Sequence, residues 1–194
     1  MPPVSTDSTR ERIIDAAESC FARYGVAKTT VEDIAAAAGL SRATVYRSVS
    51  GGRDELILAV MLRDVERFLD RLADRLRRAG SVADAVVEGV MDAVSYIRGQ
   101  RHMVQFLVPE AAGHTHAVLT GSAERILRLC CDYVRPYFAA AQREGLIRAD
   151  IEVEGTVEFL FRIITSLIVL DRDRGPDGTR NFLRSYVVPV IVGA

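Results

Sequence analysis

From Thr9 onward the apolar residues of this chain return every three to four positions, and no stretch sustains a return every second position. That period is one face of an α-helix, so it fixes the class of fold before any motif is considered. Ile13, Ala17, Cys20, Phe21 and Tyr24 make the first stripe, with Ser8 or Thr9 as the cap and Gly25 as the stop. A short second helix is expected from Thr30 to Ala38, capped by Thr30, with Val31, Ile34, Ala35 and Ala38 facing inward. Ser41 caps a third from Arg42 to Ser48, and a long fourth runs from Arg53 to Arg78. The remainder reads as helices over about 82–99, 101–108, 116–143, 153–172 and 178–191, broken at Gly80-Ser81, Gly99, 109–113, Gly145 and Gly175-Pro176. Pro136 falls inside one of them as a candidate kink. No strand is expected, and the fold class is all-α.

Composition narrows the function classes. Hydrophobic residues are 49% and charged residues 26% of 194, enough for a core and inconsistent with a wholly disordered chain. The net charge of −1 excludes a general polycation, but between Ile34 and Arg53 there are three arginines and no acid. Such a local basic segment is a candidate phosphate footprint. Three cysteines, Cys20, Cys130 and Cys131, do not make a disulfide framework. The longest apolar stretch, Phe159 to Leu170, is too short to span a bilayer and contains Arg162. Met1 to Ser8 hold no apolar signal core, so the expected compartment is the cytoplasm, without membrane attachment.

Residues 27–56 carry the strongest local signal. Two short helices joined at Gly39-Leu40 have the form of a helix-turn-helix. Ala35 to Ala38 give a small surface on which a second helix packs closely, Gly39 admits a positive φ, and Leu40 plugs the turn. The second helix opens with Ser41, Arg42 and Thr44, groups that suit a major groove.

Thr29-Thr30-Val31, Ile34-Ala35, Ala38-Gly39-Leu40-Ser41, Thr44-Val45-Tyr46 and Arg53-Asp54-Glu55-Leu56 together resemble the N-terminal domain of TetR-family transcriptional regulators. The likeness covers about residues 10–60; the rest agrees only in length and helical character. The resemblance implies a three-helix DNA-binding domain at 1–52 and a larger helical domain at 53–194 for effector binding and dimerisation. It implies a homodimeric repressor that leaves a palindromic operator when a small molecule binds. It assigns DNA contacts to Thr30 and Tyr46 on phosphates and to Ser41, Arg42, Thr44 and Arg47 in the groove, with Arg42 the candidate for guanine because a guanidinium matches O6 and N7. Two departures stand out. Val49 replaces a usual aromatic, and Ser50-Gly51-Gly52 is one residue longer than the usual loop before the fourth helix. Arg53 there replaces a usual lysine and remains able to grip a phosphate.

The effector is expected among the middle helices, against Met103, Phe106, Tyr133, Tyr137, Phe138 and Phe159, with Arg162 holding an acid or phenol on a largely hydrophobic molecule. Arg162 also lies four residues after Glu158, so a simple pair along the helix face is the alternative. Apolar residues from Phe159 to Leu170 and from Phe182 to Ile191 suggest a dimer face. His114 and His116 have no companion ligands in sequence, and no metal or cofactor is expected. Gly-x-Ser-x-Gly, Gly-x-Gly-x-x-Gly, a Walker loop and His-Glu-x-x-His are all missing, and no enzyme activity is expected. The competing readings are a ligand-binding helical protein or enzyme without DNA binding, and a regulator that needs its ligand to bind DNA.

Overall fold

A computed structural model describes residues 6–107, 114–170 and 175–193, with side chains described at 8–104, 123–170 and 175–193. Ten helices are present among them: α1 (Thr6–Tyr24), α2 (Val31–Ala37), α3 (Arg42–Ser48), α4 (Gly52–Leu76), α5 (Val82–Gly99), α6 (Arg101–Leu107), α7 (His114–Arg143), α8 (Val153–Val169), α9 (Gly175–Tyr186) and α10 (Val188–Ile191). The described residues hold no strand, only an isolated antiparallel bridge between Ile147 and Val192. The chain is all-α, as the apolar period requires. It divides into two compact units, residues 1–64 with 100–122, and residues 65–99 with 123–194.

In the first unit α1 packs on α2 and α3. Ile13, Ala17, Phe21, Ile34, Ala35 and Val45 close that core, with Leu56, Ile57 and Val60 from the start of α4. Gly39 turns the chain with φ at 62°, which L side chains resist. Thr30 caps α2 reciprocally. Its Oγ1 accepts from the Asp33 amide, and Asp33 Oδ2 accepts from the Thr30 amide at 2.9 Å.

The glycines before α4 have a steric reason. A Cβ on Gly52, whose φ is 60°, would lie 3.2 Å from the Tyr46 ring, and one on Gly51 would lie 2.6 Å from Glu55 Cβ. The helix starts at Gly52, one residue before the expected Arg53.

The first unit also buries two ionisable side chains. Asp64 on α4 and His102 on α6 are 1% and 4% exposed and meet at 2.6 Å between Oδ2 and Nε2. Nearby on α4, Arg63 takes carboxylates one turn apart along α1, Glu11 and Asp15 at 2.5 Å each and Glu18 at 3.4 Å.

The second unit packs α5 against α8 and α9, with α10 on α9. Its core includes Val87, Val90, Phe138, Val157, Leu183 and Ile191. Across α5 and α9, Arg180 holds Glu88 at 2.8 Å and Arg184 holds Asp84 at 2.7 Å. The arginines keep both carboxyls below the usual carboxylate range. The single helix expected over 178–191 is two, because Pro189 has no amide to donate and its ring clashes with the preceding turn. Pro176, expected to mark a break, sits in the first turn of α9, where a missing amide leaves nothing unpaired. Pro136 is inside α7 without ending it.

Candidate DNA-binding face and ligand cavity

On α3, Val45 and the C-cap Val49, four residues apart, point into the core, so the side chains two positions from Val45 face directly out, with Arg42 and Tyr46 beside them. Arg42, Ala43, Tyr46 and Arg47 are exposed, Tyr46 by 43%. The helix-turn-helix therefore presents a compact face carrying two guanidiniums and a phenol.

Arg42 bridges three groups. Its Nη1 meets Glu32 of α2 at 2.5 Å, its Nη2 donates to the Tyr46 hydroxyl at 3.5 Å, and its guanidinium lies over the Tyr46 ring at 5.4 Å. The hydroxyl and Glu32 raise its pKa further, so it is a permanent cation. Ser41 caps α3 by accepting from the Thr44 amide at 3.1 Å, and its hydroxyl shares a 2.9 Å hydrogen bond with that of Thr44. Thr30 is exposed, but its hydroxyl donates to Asp33 Oδ2 at 2.6 Å. Hydrogen bonds from Thr30 hold the Asp33 carboxyl below its usual range.

Arg53 differs from its expected role. Its Nε donates to the Thr29 carbonyl at 3.0 Å and its Nη2 to the Val26 carbonyl at 2.5 Å. It is half-buried and ties the start of α4 to the loop after α1, which leaves less of the guanidinium for a phosphate. Thr29 completes the tie: it is buried, and its Oγ1 donates to the Gly25 carbonyl at 2.8 Å.

The second unit contains a cavity of about 430 Å³. Phe68, Leu72 and Leu76 line it from α4, and Val86, Gly89 and Val90 from α5. From α7 come Cys130, Val134, Tyr137, Phe138 and Ala141, with Glu144 just past its end, and from α8 Val157, Leu160 and Ile164. Spacings of three and four residues put each set on one helix face. A Cβ on Gly89 would lie 3.3 Å from Leu72 Cδ1, so this glycine sets how closely α4 and α5 approach.

Of the residues expected to hold an effector, Tyr137 and Phe138 are on the wall. Four others are not. Tyr133 is half-buried, and its hydroxyl donates to Asp70 at 2.9 Å. Phe159 packs against the core of the second unit, and Met103 is buried in the first. Arg162 is 74% exposed and clasps Glu158 through Nε at 3.0 Å and Nη2 at 2.5 Å. The i,i+4 pair, available from the sequence alone, is the geometry it adopts. Phe106 lies outside the residues whose side chains are described, as do His114 and His116. Leu72, Val86, Gly89, Val134 and Glu144 were not foreseen. The usable signal was the run 130, 134, 137, 141, 144, which keeps one face of a helix.

Among the described residues no group of His, Cys, Asp and Glu could hold a metal ion, and no helix is long and apolar enough to cross a membrane.

A buried three-helix core presenting a cationic second helix defines a helix-turn-helix DNA-binding protein. Residues 13–60 match the model of the bacterial regulatory proteins of the tetR family. An uncharacterised HTH-type transcriptional regulator of Mycobacterium tuberculosis is 31% identical over 144 residues, 73% of this chain and 70% of the relative. The TetR-family repressor AlkX from Dietzia, implicated in n-alkane biodegradation, superposes with a TM-score of 0.66 at 25% identity, covering 93% of each chain. RolR in complex with resorcinol gives a TM-score of 0.73 at 17% identity, covering 96% of this chain and 88% of that one. The chain belongs to the tetR family of bacterial transcriptional regulators. That sets aside the enzyme reading.

Proposed function

We propose that the protein is a homodimeric repressor whose α3 reads a palindromic operator and whose cavity takes a small, largely hydrophobic effector that releases the DNA. The observation that carries it is the α3 face, with Arg42, Tyr46 and Arg47 exposed above a buried Val45 and Val49. In this reading residues 1–52 bind DNA and residues 53–194 bind effector and dimerise, in the cytoplasm. Arg42 leaves Glu32 for a guanine edge, and Arg47 and the Tyr46 hydroxyl take phosphates. Ser41, Thr44 and Thr30 set the helix starts and add short contacts. Arg53 braces the domain and contributes at most its remaining N–H donors.

Dimerisation accounts for apolar surface that one subunit leaves in water. Val169 is 39%, Leu170 70%, Tyr186 69% and Val190 43% exposed, and Ile163, Leu167 and Ile168 are only half-buried. A twofold contact of α8 and the C-terminal helices would cover them. Two recognition helices would then enter successive major grooves about 34–36 Å apart. The effector role needs a ligand that binds the two states of the regulator unequally. AlkX, a TetR-family repressor, and RolR with its bound resorcinol support repression and a small organic ligand by analogy.

The experiment is a gel shift against the DNA flanking the protein's own gene, with sedimentation of the free protein. A dimer that shifts this DNA, with log K falling about 0.9 per phosphate neutralised as log salt rises, is expected. A monomer at micromolar concentration contradicts the dimer, and a shift that appears only on adding a small molecule contradicts release by ligand.

A further inference from the structure

The cavity wall is not uniform, and its gradient says what kind of molecule fits. Helices α4 and α7 run side by side in the same direction, because Tyr133 bonds Asp70 and, further along both, Tyr137 bonds Arg77 at 3.4 Å. One end of the wall is thus Phe68, Leu69 and Cys130, and the other is Ser81 and Glu144. Burial pushes the Cys130 thiol up to about 12, as expected where charge is poorly solvated. The Ser81 hydroxyl caps α5 and donates to Asp84 at 2.8 Å. Glu144 is exposed, and among the described residues it is the one charged side chain on the wall and makes no ion pair. Among the described residues no cation lines the cavity: Arg162 is paired outside it, and Arg77, which touches the wall only through the Tyr137 hydroxyl, is held by Asp74. From Cys130 the wall follows α7 to its end and closes on Glu144, about 21 Å along the helix axis, so 430 Å³ is drawn out into a slot.

Resting on the effector-binding role proposed above, we infer that this slot takes a slender apolar molecule ending in a hydrogen-bond donor, an alcohol or a protonated amine, and discriminates against carboxylates. The apolar body lies along Phe68, Leu72 and Val134. The donor reaches the Glu144 carboxylate at the wetter end, where a hydroxyl or ammonium finds an acceptor. A carboxylate there meets a like charge and no partner, and deeper in the slot it loses its hydration.

The test uses the full chain without DNA. Decan-1-ol, decylamine and decanoate compete at pH 8 for the neutral fluorescent probe N-phenyl-1-naphthylamine. The alcohol and the amine are expected to displace it at concentrations at least about tenfold below decanoate. Because Glu144 is exposed, its variants should fold. Glu144→Gln should weaken decylamine about two- to fivefold relative to decan-1-ol, the scale of one exposed ion pair. Glu144→Lys should reverse the order of amine and carboxylate. Decanoate binding the wild type as tightly as decan-1-ol overturns the inference, as does an order unchanged in both variants. DNA release is scored separately with the same ligands. Binding in the expected order without release upholds the ligand class and removes the effector role. Release by decanoate in preference to the alcohol upholds the regulator and overturns the ligand class.

Discussion

The helix-turn-helix and the cavity region are built to opposite rules. Around α1 to α3 the largest buried side chains, Phe21, Ile13, Ile34 and Val45, are fully enclosed, and the turns are fixed by Gly39, Gly52 and the Thr30 and Ser41 caps. Around the cavity the same kinds of aliphatic side chain face a 430 Å³ space, and its one charged lining group among the described residues, Glu144, stands at one end. A groove-reading helix must hold its side chains to fixed positions relative to DNA, so its scaffold tolerates little slack. A ligand site needs side chains that leave volume, so it gives up packing contacts.

Truncation should separate the two regions. Phe21→Ala, at a fully packed site, should lower unfolding free energy by about 3–5 kcal/mol. Leu72→Ala, on the cavity wall, should lower it by less than about 3 kcal/mol, because that side chain already lacks neighbours on one face. Urea unfolding measures both; equal losses would erase the difference between the two regions.

The buried pair of the first unit sharpens it from another side. His102→Ala removes a buried hydrogen-bond partner of Asp64, so it should destabilise by about 1–3 kcal/mol. A loss under about 1 kcal/mol in the same assay would mean that water replaces the imidazole at no penalty.

The sequence makes the first region far more legible than the second, for physical reasons. Helix caps and glycine turns are local: Thr30 finds Asp33 three residues on, Ser41 finds Thr44, and Gly39 follows the last small residue of α2. The N-terminal motif was therefore readable residue by residue, and the family comparison confirms it. The bracing bonds of Arg53 were not readable, because its partners, the Val26 and Thr29 carbonyls, are more than twenty residues away and announce nothing in sequence. The Asp64–His102 pair, 38 residues apart, was missed for the same reason. In the second region a leucine lining a cavity and one packed in a core have the same helical spacing, so only the bulky Tyr137 and Phe138 were picked out. The run of helices was legible. The space between them was not.

Smaller effects test each region's chemistry. Arg42→Ala should weaken operator binding by about 1–3 kcal/mol and relax base preference, whereas Tyr46→Phe should weaken all sequences alike. Competition binding on single-base operator variants separates the two. An Arg42→Ala protein with unchanged sequence preference would remove that residue from base reading.

The smallest effect concerns pH. Arg180 and Arg184 depress the folded pKa of Glu88 and Asp84, so the unfolded chain binds more protons on these groups. Their stabilisation is full above the ordinary carboxylate range, about 4, and is lost as pH falls through the lower folded values. Glu88→Gln with Asp84→Asn should flatten the acid limb of the stability profile by a small amount, since the pairs are partly exposed. An acid limb as steep as in the wild type would show that other carboxylates dominate.

The central claim is that the exposed face of α3 selects one DNA sequence. Fluorescence anisotropy on the half-site recovered from the flanking DNA, beside a shuffled duplex of equal length, tests it most directly. The expected result is a wild-type preference for the true site of at least about a thousandfold at physiological salt, lowered mainly on that site by Arg42→Ala. Equal affinity for both duplexes, with Arg42→Ala affecting neither or both alike, would contradict it.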